Sequence, residues 1–205
     1  MQKIIYADND TPKEFCGLFG IFGHKQASWL TYLGLFAQQH RGQEACGIVV
    51  NHKDNLSVYK HMGLVSDVFT PEILARLKGS AAVGHVRYST TGSSVLKNAQ
   101  PLLIDYAKGS ICIAHNGNLV NSLELSRELE EKGSIFQTTT DSEIIIHLMA
   151  RARSQDLLES LVEALPTAQL RRRAATFARL LLFQPDLWVV ARKPGRFQGK
   201  ASGNN

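Results

Sequence analysis

The decisive stretch of this chain is Cys16-Gly17-Leu18-Phe19-Gly20-Ile21-Phe22-Gly23, a glycine-interrupted apolar run that predicts a β-strand with a cysteine at its start. The stretch follows a polar leader, residues 1–15, which lacks the apolar core of a secretion signal. Removal of the leader would free the α-amine of Cys16 to act as a base beside its own thiol, which is what a self-activated nucleophile requires. A cysteine buried at a strand start as a small hydrophobic residue is the alternative.

Strands and helices alternate after this first strand. Predicted strands cover 46–50 and 56–59, as a hairpin around 51–55, and then 81–86, 110–114, 180–183 and 187–191. Predicted helices cover 28–40, 70–79, 121–133, 140–152 and 154–165, with Thr70, Asn121 and Ser154 as caps of the second, third and fifth. The polar, glycine-rich end, residues 193–205, is predicted to be disordered.

Composition excludes several classes of protein. A chain with 44% hydrophobic and 20% charged residues is an ordinary globular protein, and no apolar run approaches the roughly 18 residues of a membrane span. The three cysteines are odd in number and lack metal-ligand spacing, so the sequence predicts no disulfide framework and no metal site. A reducing cytoplasm is the expected location.

The net charge of +5 does not indicate nucleic-acid binding, because of where it lies. Residues 151–205 carry ten Lys or Arg against four Asp or Glu, whereas residues 1–150 are nearly neutral. A nucleic-acid binder would interleave aromatic and basic residues on a defined module, and the sequence shows no such module. No nucleic-acid partner is expected.

Four polar clusters follow predicted strands or helices, and three of them have two interpretations. Residues 39–44 read as a solvated connection if taken alone. Residues 84–92 set Arg87 beside hydroxyls and glycines, which suits a carboxylate ligand, or form an exposed strand end. Asn116 and Gly117 form either a tight turn or an oxyanion hole. Asp141 is either a helix cap or the counter-ion of an ammonium group.

Five motifs in order resemble the class II glutamine amidotransferase domain of the amidophosphoribosyltransferase family, whose members begin purine synthesis. The motifs are Cys16-Gly-Leu-Phe-Gly-Ile, Gln39-His-Arg-Gly-Gln-Glu, Gly84-His-Val-Arg-Tyr-Ser-Thr, His115-Asn-Gly-Asn and Thr139-Thr-Asp-Ser-Glu. Glucosamine-6-phosphate synthase and asparagine synthetase share the Cys-Gly start and the Asn-Gly pair, so a domain of another class II amidotransferase is the alternative within the class.

The resemblance implies a fold and a set of site residues. The implied fold is α+β, a four-layer α-β-β-α sandwich of the N-terminal nucleophile hydrolase type with two antiparallel sheets. The implied reaction is hydrolysis of glutamine to glutamate and ammonia through a thioester. By the same resemblance Cys16 is the nucleophile and Asn116 and Gly117 form the oxyanion hole. The glutamine-binding residues would be Arg87 for the α-carboxylate and Asp141 for the α-amine, with His85 and Tyr88 shaping the pocket.

The resemblance also divides the chain. Residues 1–15 would be a propeptide and 16–192 the amidotransferase domain, atypical from about residue 167, with 193–205 as a tail. The family's phosphoribosyltransferase domain, which transfers the ammonia to phosphoribosyl pyrophosphate to give 5-phosphoribosylamine, is not found in the sequence. We therefore expect no cofactor in this chain, and we place the family's magnesium and possible iron–sulfur cluster in that further domain. Homo-oligomers, or a separate phosphoribosyltransferase chain, are the expected partners beside glutamine.

The basic, atypical tail suggests a truncated or frame-disrupted product. Its glutaminase would be the only activity expected of it, since the phosphoribosyl step needs the other domain. A catalytically silent regulatory or interaction module is the competing hypothesis from another class. The state of the amino terminus separates the two, because a retained leader locks the Cys16 amine in a peptide bond.

Overall fold

The structure is a computed structural model that describes residues 16–53, 55–88 and 94–168, and the backbone of residues 187–191. The propeptide 1–15, the strand predicted at 180–183, the tail 193–205 and part of the 84–92 cluster lie outside the described residues.

Seven strands and six helices make up the described part of the chain. The strands are β1 (Gly17–Phe22), β2 (Ala45–His52), β3 (Asn55–Met62), β4 (Ala81–Arg87), β5 (Leu102–Tyr106), β6 (Gly109–His115) and β7 (Leu187–Ala191). The helices are α1 (Ala27–Ala37), α2 (Val65–Val68), α3 (Pro71–Arg76), α4 (Ser122–Glu131), α5 (Ser142–Arg151) and α6 (Leu157–Ala164), and two 3-10 turns cover Gln39–Arg41 and Leu96–Asn98.

The strands form two antiparallel sheets. The first has the order β1-β4-β2-β3, and the second has the order β5-β6-β7. Gly17 pairs with Val86 in the first sheet, so Cys16 comes next to the carboxyl end of β4. That end of β4 is where the sequence sets Arg87 and Tyr88.

Helices cover the outer face of each sheet, and the two sheets face each other. Alternate residues of β4 and β2, such as Val86 and Ile48, pack into a core with α1, α2 and α3. Ile111 and Ile113 of β6 pack into a second core with α4, α5 and α6. The remaining residues of β4 point towards β6, because successive side chains of a strand alternate between its faces. The layers therefore run α-β-β-α, and the predicted fold is confirmed.

Most predicted elements are present, but several caps and boundaries were wrong. Thr70 caps α3 through its hydroxyl, as predicted, although α3 ends at Arg76 rather than near Gly79. Asn121 occupies the cap position of α4 but makes no capping hydrogen bond, and its side-chain nitrogen donates to the carbonyl of Thr167. Asp156, and not Ser154, caps α6 by accepting the N–H groups of its first turn. The hairpin turn is shorter than predicted, and the sequence did not predict β5 or α2.

Within the described ranges, every helix is too short or too polar to cross a lipid bilayer.

Candidate active site

Cys16 lies against the backbone of Tyr88 at the carboxyl end of β4. The Tyr88 N–H donates to the Cys16 sulfur at 3.3 Å, and the sulfur lies 3.4 Å from the Tyr88 carbonyl oxygen. The Arg41 side chain donates to the Cys16 carbonyl oxygen at 3.1 Å. Burial raises the pKa of the Cys16 thiol, and the Tyr88 N–H and the positive charge of Arg87 oppose that shift only in part. The thiol therefore needs a base to become a nucleophile at neutral pH.

Arg87, the last residue of β4, is buried beside Cys16. Its guanidinium lies 3.6 Å from the carboxylate of Glu44, and its side chain is 4% exposed. The backbone N–H of Glu44 donates to the Arg87 carbonyl oxygen at 3.2 Å. The segment 39–44 is therefore packed against the end of β4 through Gly42 and Glu44, while His40 and Gln43 are exposed.

The two aromatic residues predicted to shape the pocket differ in exposure. Tyr88 is 40% exposed, whereas His85 is completely buried between the sheets. Burial, with a smaller contribution from the charge of His115, lowers the pKa of His85 to about 3, although the nearby backbone of His115 partly opposes that shift. His85 is thus neutral and lies next to His115 of β6.

The predicted oxyanion-hole segment follows β6 directly. Gly117 packs so closely on His115 that a Cβ at residue 117 would come within 2.7 Å of the imidazole Nε2. The backbone N–H of His115 donates to the side chain of Gln100 at 2.7 Å, and the N–H of Leu119 donates to the carboxylate of Asp141 at 2.7 Å. Asn116 is half-buried between these two anchored residues.

Asp141 precedes α5 but does not cap it. Its side chain makes no capping hydrogen bond, so the alternative interpretation of Asp141 as a helix cap was wrong. The preceding loop is held by Asn98, whose amide pairs with the backbone N–H of Thr139 at 3.0 Å and with its hydroxyl at 2.8 Å. The structure thus brings Asp141 to the segment that carries Asn116 and Gly117.

The loop before Asp141 is also fixed by the buried carboxylate of Glu143. Burial alone would raise the pKa of Glu143. The nearby His147 and hydrogen bonds from the N–H groups of Gln137 and Thr138 and the Thr138 hydroxyl outweigh that effect and hold the pKa at about 2. Glu143 is therefore ionised at any physiological pH. Its role here is structural, since all of these partners belong to the loop or to α5.

The described part of the chain contains no group of three His, Cys, Asp or Glu side chains that could hold a metal ion. Cys46 and Cys112 are buried in different sheets, and burial raises the pKa of both thiols, that of Cys46 to about 12. These thiols do not fit the ligand set of an iron–sulfur cluster, which needs several thiolates at one place.

Sequence reasoning missed the polar residues Gln38, Asn98 and Gln100, which support the site, and it assigned no role to Ser142 within the motif Thr139-Thr-Asp-Ser-Glu. The Gln38 amide, for example, pairs with both the N–H and the carbonyl of Leu18 in β1. For Gln100 the only signal was a polar residue before a proline, and for Ser142 a small polar residue at a helix start; both patterns are common in ordinary loops.

Comparison with known proteins agrees with this geometry. A family profile described as a glutamine amidotransferase domain matches residues 85–176. Amidophosphoribosyltransferase 2 of Arabidopsis thaliana, a chloroplastic protein, is 48% identical over 205 residues, which cover 98% of this chain and 36% of the relative. The amidophosphoribosyltransferase of Bacillus subtilis is 46% identical over 182 residues, which cover 88% of this chain and 37% of the relative.

Solved structures give the same result. The glutamine phosphoribosylpyrophosphate amidotransferase of B. subtilis, complexed with ADP and GMP, superposes with a TM-score of 0.70 at 43% identity, over 76% of this chain and 33% of that one. This chain belongs to the amidophosphoribosyltransferase family, as its glutamine amidotransferase domain. A structure described as the allosteric regulatory enzyme of purine biosynthesis superposes with a TM-score of 0.71 at 45% identity, over the same shares of both chains.

The predicted membership of the amidophosphoribosyltransferase family is thereby confirmed, and so is the N-terminal nucleophile hydrolase fold. The chain spans about a third of the length of these relatives. The match therefore concerns the amidotransferase domain, and it leaves the predicted domain boundaries as predictions.

Proposed function

We propose that this chain hydrolyses glutamine to glutamate and ammonia, with Cys16 as the nucleophile once residues 1–15 have been removed. The observation that supports this most is the position of Cys16, at the start of β1 and against Tyr88, with a thiol pKa that burial raises. Such a thiol needs a base at hand. The α-amine of the same residue becomes that base when the peptide bond before Cys16 is cut.

The proposed hydrolysis needs only the thiol and α-amine of Cys16, glutamine and water. The α-amine takes the thiol proton as the sulfur attacks the side-chain carbonyl carbon of glutamine. The tetrahedral intermediate collapses, the C–N bond breaks, and the proton passes to the leaving nitrogen as ammonia departs. Water then attacks the thioester, its proton goes to the α-amine, and glutamate leaves as the proton returns to the sulfur.

Other residues bind the substrate and stabilise its transition state in this proposal. Arg87 would bind the α-carboxylate, since a guanidinium grips a carboxylate with two parallel hydrogen bonds. Asp141 would bind the α-ammonium with the carboxylate lone pairs that Leu119 does not use. The Asn116 amide and the Gly117 N–H would donate to the oxyanion. Tyr88 would form part of the pocket wall, and His85 would support it from beneath.

We propose the family's phosphoribosyl-transfer step only for a protein that also contains the part of the relatives that this chain does not cover. There the ammonia would react with phosphoribosyl pyrophosphate to give 5-phosphoribosylamine, and magnesium, with any iron–sulfur cluster, would belong to that region. That region would lie in the same protein or on a separate chain, and homo-oligomerisation stays a prediction. A reducing compartment suits the Cys16 thiol; the cytoplasm is our proposal, although relatives named chloroplastic exist.

Glutamate release measured before and after removal of residues 1–15 tests the proposed function. We expect activity only from the chain that begins at Cys16, and none from its Cys16→Ala variant. A chain that begins at Cys16, is folded and releases no glutamate would instead support the silent regulatory or interaction module.

A further inference from the structure

We propose that Gln100 and Ser142 are positioning residues that fix the oxyanion-hole segment, residues 115–119, against the start of α5. The inference rests on the proposed function, since it assigns how that site is held in its working geometry. Gln100 lies outside the five motifs from which the site was predicted, and Ser142 lies within the motif Thr139-Thr-Asp-Ser-Glu but has no role in the sequence-based prediction.

Gln100 joins the end of β6 to the start of α5. Its side-chain oxygen accepts the backbone N–H of His115 at 2.7 Å, and its side-chain nitrogen donates to the Ser142 hydroxyl at 3.3 Å. Gln100 is 7% exposed, so water cannot readily replace either partner. One carboxamide therefore sets the distance between a strand of the second sheet and a helix that covers it.

Ser142 contacts the same segment from the start of α5. Its hydroxyl is fully buried and lies 3.4 Å from the imidazole Nδ1 of His115 and 3.4 Å from the nearer carboxylate oxygen of Asp141. The other oxygen of Asp141 accepts the N–H of Leu119. The segment is thus fastened at its first residue by Gln100 and Ser142 and at its last by Asp141.

This double attachment matters because Asn116 and Gly117 lie between the two fastened ends. Oxyanion donors work only when they are held within a few tenths of an ångström of where the negative oxygen forms, and loss of one donor costs about 10²- to 10³-fold in kcat. A segment released at one end would keep its donors but lose their alignment. The effect should fall on kcat and spare ground-state binding of glutamine.

Gln100→Met tests the first attachment, since methionine matches the length of glutamine but cannot pair with His115 or Ser142. Ser142→Ala tests the second. We expect each to lower kcat by about tenfold or more while KM for glutamine changes less than about threefold. The double variant should lose less than the product of the two single losses, because both substitutions break the same connection.

Lys108→Met is the matched control. The Lys108 ammonium donates to the carbonyls of Met149, Ala152 and Ser154 at the opposite end of α5. Its loss should destabilise the fold and leave kcat unchanged. Equal kcat losses in Lys108→Met and Gln100→Met at a temperature where both are folded would overturn the proposal, because stability alone would then explain the effect.

Two further measurements separate this proposal from the proposed function. An aldehyde analogue of glutamine forms a tetrahedral adduct with a thiol, so Gln100→Met should bind it about tenfold or more weakly while glutamate binds as before. Hydrogen exchange of the backbone amides in residues 115–119 should quicken in Gln100→Met and Ser142→Ala but not in Lys108→Met. Exchange is independent of catalysis, so it tests the attachment even if the wild-type chain releases no glutamate. Unchanged exchange, or a rise in KM alone, would overturn the proposal.

Discussion

The sulfur of Cys16 lies between the backbone N–H and the backbone carbonyl of Tyr88, at 3.3 and 3.4 Å. This contact joins the first residue before β1 to the first residue after β4, and Arg87 stands beside it. A thiol held in this way is protonated at neutral pH, because burial raises its pKa. Several measurable consequences follow from that relationship and from the contacts around it.

Alkylation should distinguish Cys16 from the other two cysteines. Cys46 and Cys112 are almost completely buried, and burial raises the pKa of both thiols, whereas Cys16 is partly exposed. We expect iodoacetamide to modify Cys16 first in the folded chain, slowly at neutral pH and faster as the pH approaches its raised pKa. Peptide mapping after timed labelling checks this, and prior labelling of Cys112 would contradict the described burial.

Arg87→Lys should weaken glutamine binding. Lysine keeps the positive charge beside Glu44 but lacks the planar pair of donors that a carboxylate needs. We expect KM for glutamine to rise about tenfold to a hundredfold with a smaller change in kcat. The control is Arg76→Lys on the exposed side of α3, which should leave both constants unchanged. An unaltered KM in Arg87→Lys would remove Arg87 from the proposed binding site.

Acid should destabilise the chain through Glu143. Its folded pKa of about 2 lies below the usual 4.5, so its contribution is complete above about pH 4.5 and is lost as the pH falls towards about 2. We expect that contribution to be about 3 kcal/mol at neutral pH. Urea unfolding as a function of pH measures it.

The loss on acidification should be smaller in Glu143→Gln, which has no carboxylate to protonate. Glu128→Gln is the control, because Glu128 forms only an exposed ion pair with Lys132. If Glu128→Gln reduced the pH dependence of stability as much as Glu143→Gln, the buried hydrogen bonds of Glu143 would not be the source of that dependence.

Gly47→Ala should displace Gln100, because Gly47 lies in β2 of the first sheet and faces the backbone of Gln100. A Cβ at residue 47 would stand 2.4 Å from the Gln100 carbonyl oxygen and 2.8 Å from the Cβ of Lys60. We expect a loss of about 1–3 kcal/mol in the free energy of unfolding, together with a lower kcat. Val49→Ala, two residues along β2 and also buried, should cost similar stability and spare kcat. Urea unfolding and glutaminase kinetics on both variants provide the comparison.

The layers of the fold and the family could be predicted because they leave local signals, whereas the roles of the site residues stay predictions. The strand at 17–22, the α5 pattern and the order of five motifs are visible in single stretches of sequence. The supporting contacts could not be predicted, because they join residues far apart in the chain. Gln100 meets His115 and Ser142 only after β5 and β6 have paired and α5 has packed on them.

The errors have the same physical origin. Asp141 is a residue type that caps helices in many proteins, yet its carboxylate accepts the N–H of Leu119 here and makes no capping hydrogen bond. Capping propensity describes only the local preference of a side chain, and a hydrogen bond to a buried N–H elsewhere in the chain can outweigh it.

The most direct test of the central claim is the intact mass of the protein after acid quenching during glutamine turnover. The chain that begins at Cys16 should carry one glutamyl group as a thioester on Cys16, identified by peptide mapping and removed by hydroxylamine. The Cys16→Ala variant should carry none and release no glutamate. Glutamate release that persists in Cys16→Ala, or an adduct on any residue other than Cys16, would contradict the proposed mechanism.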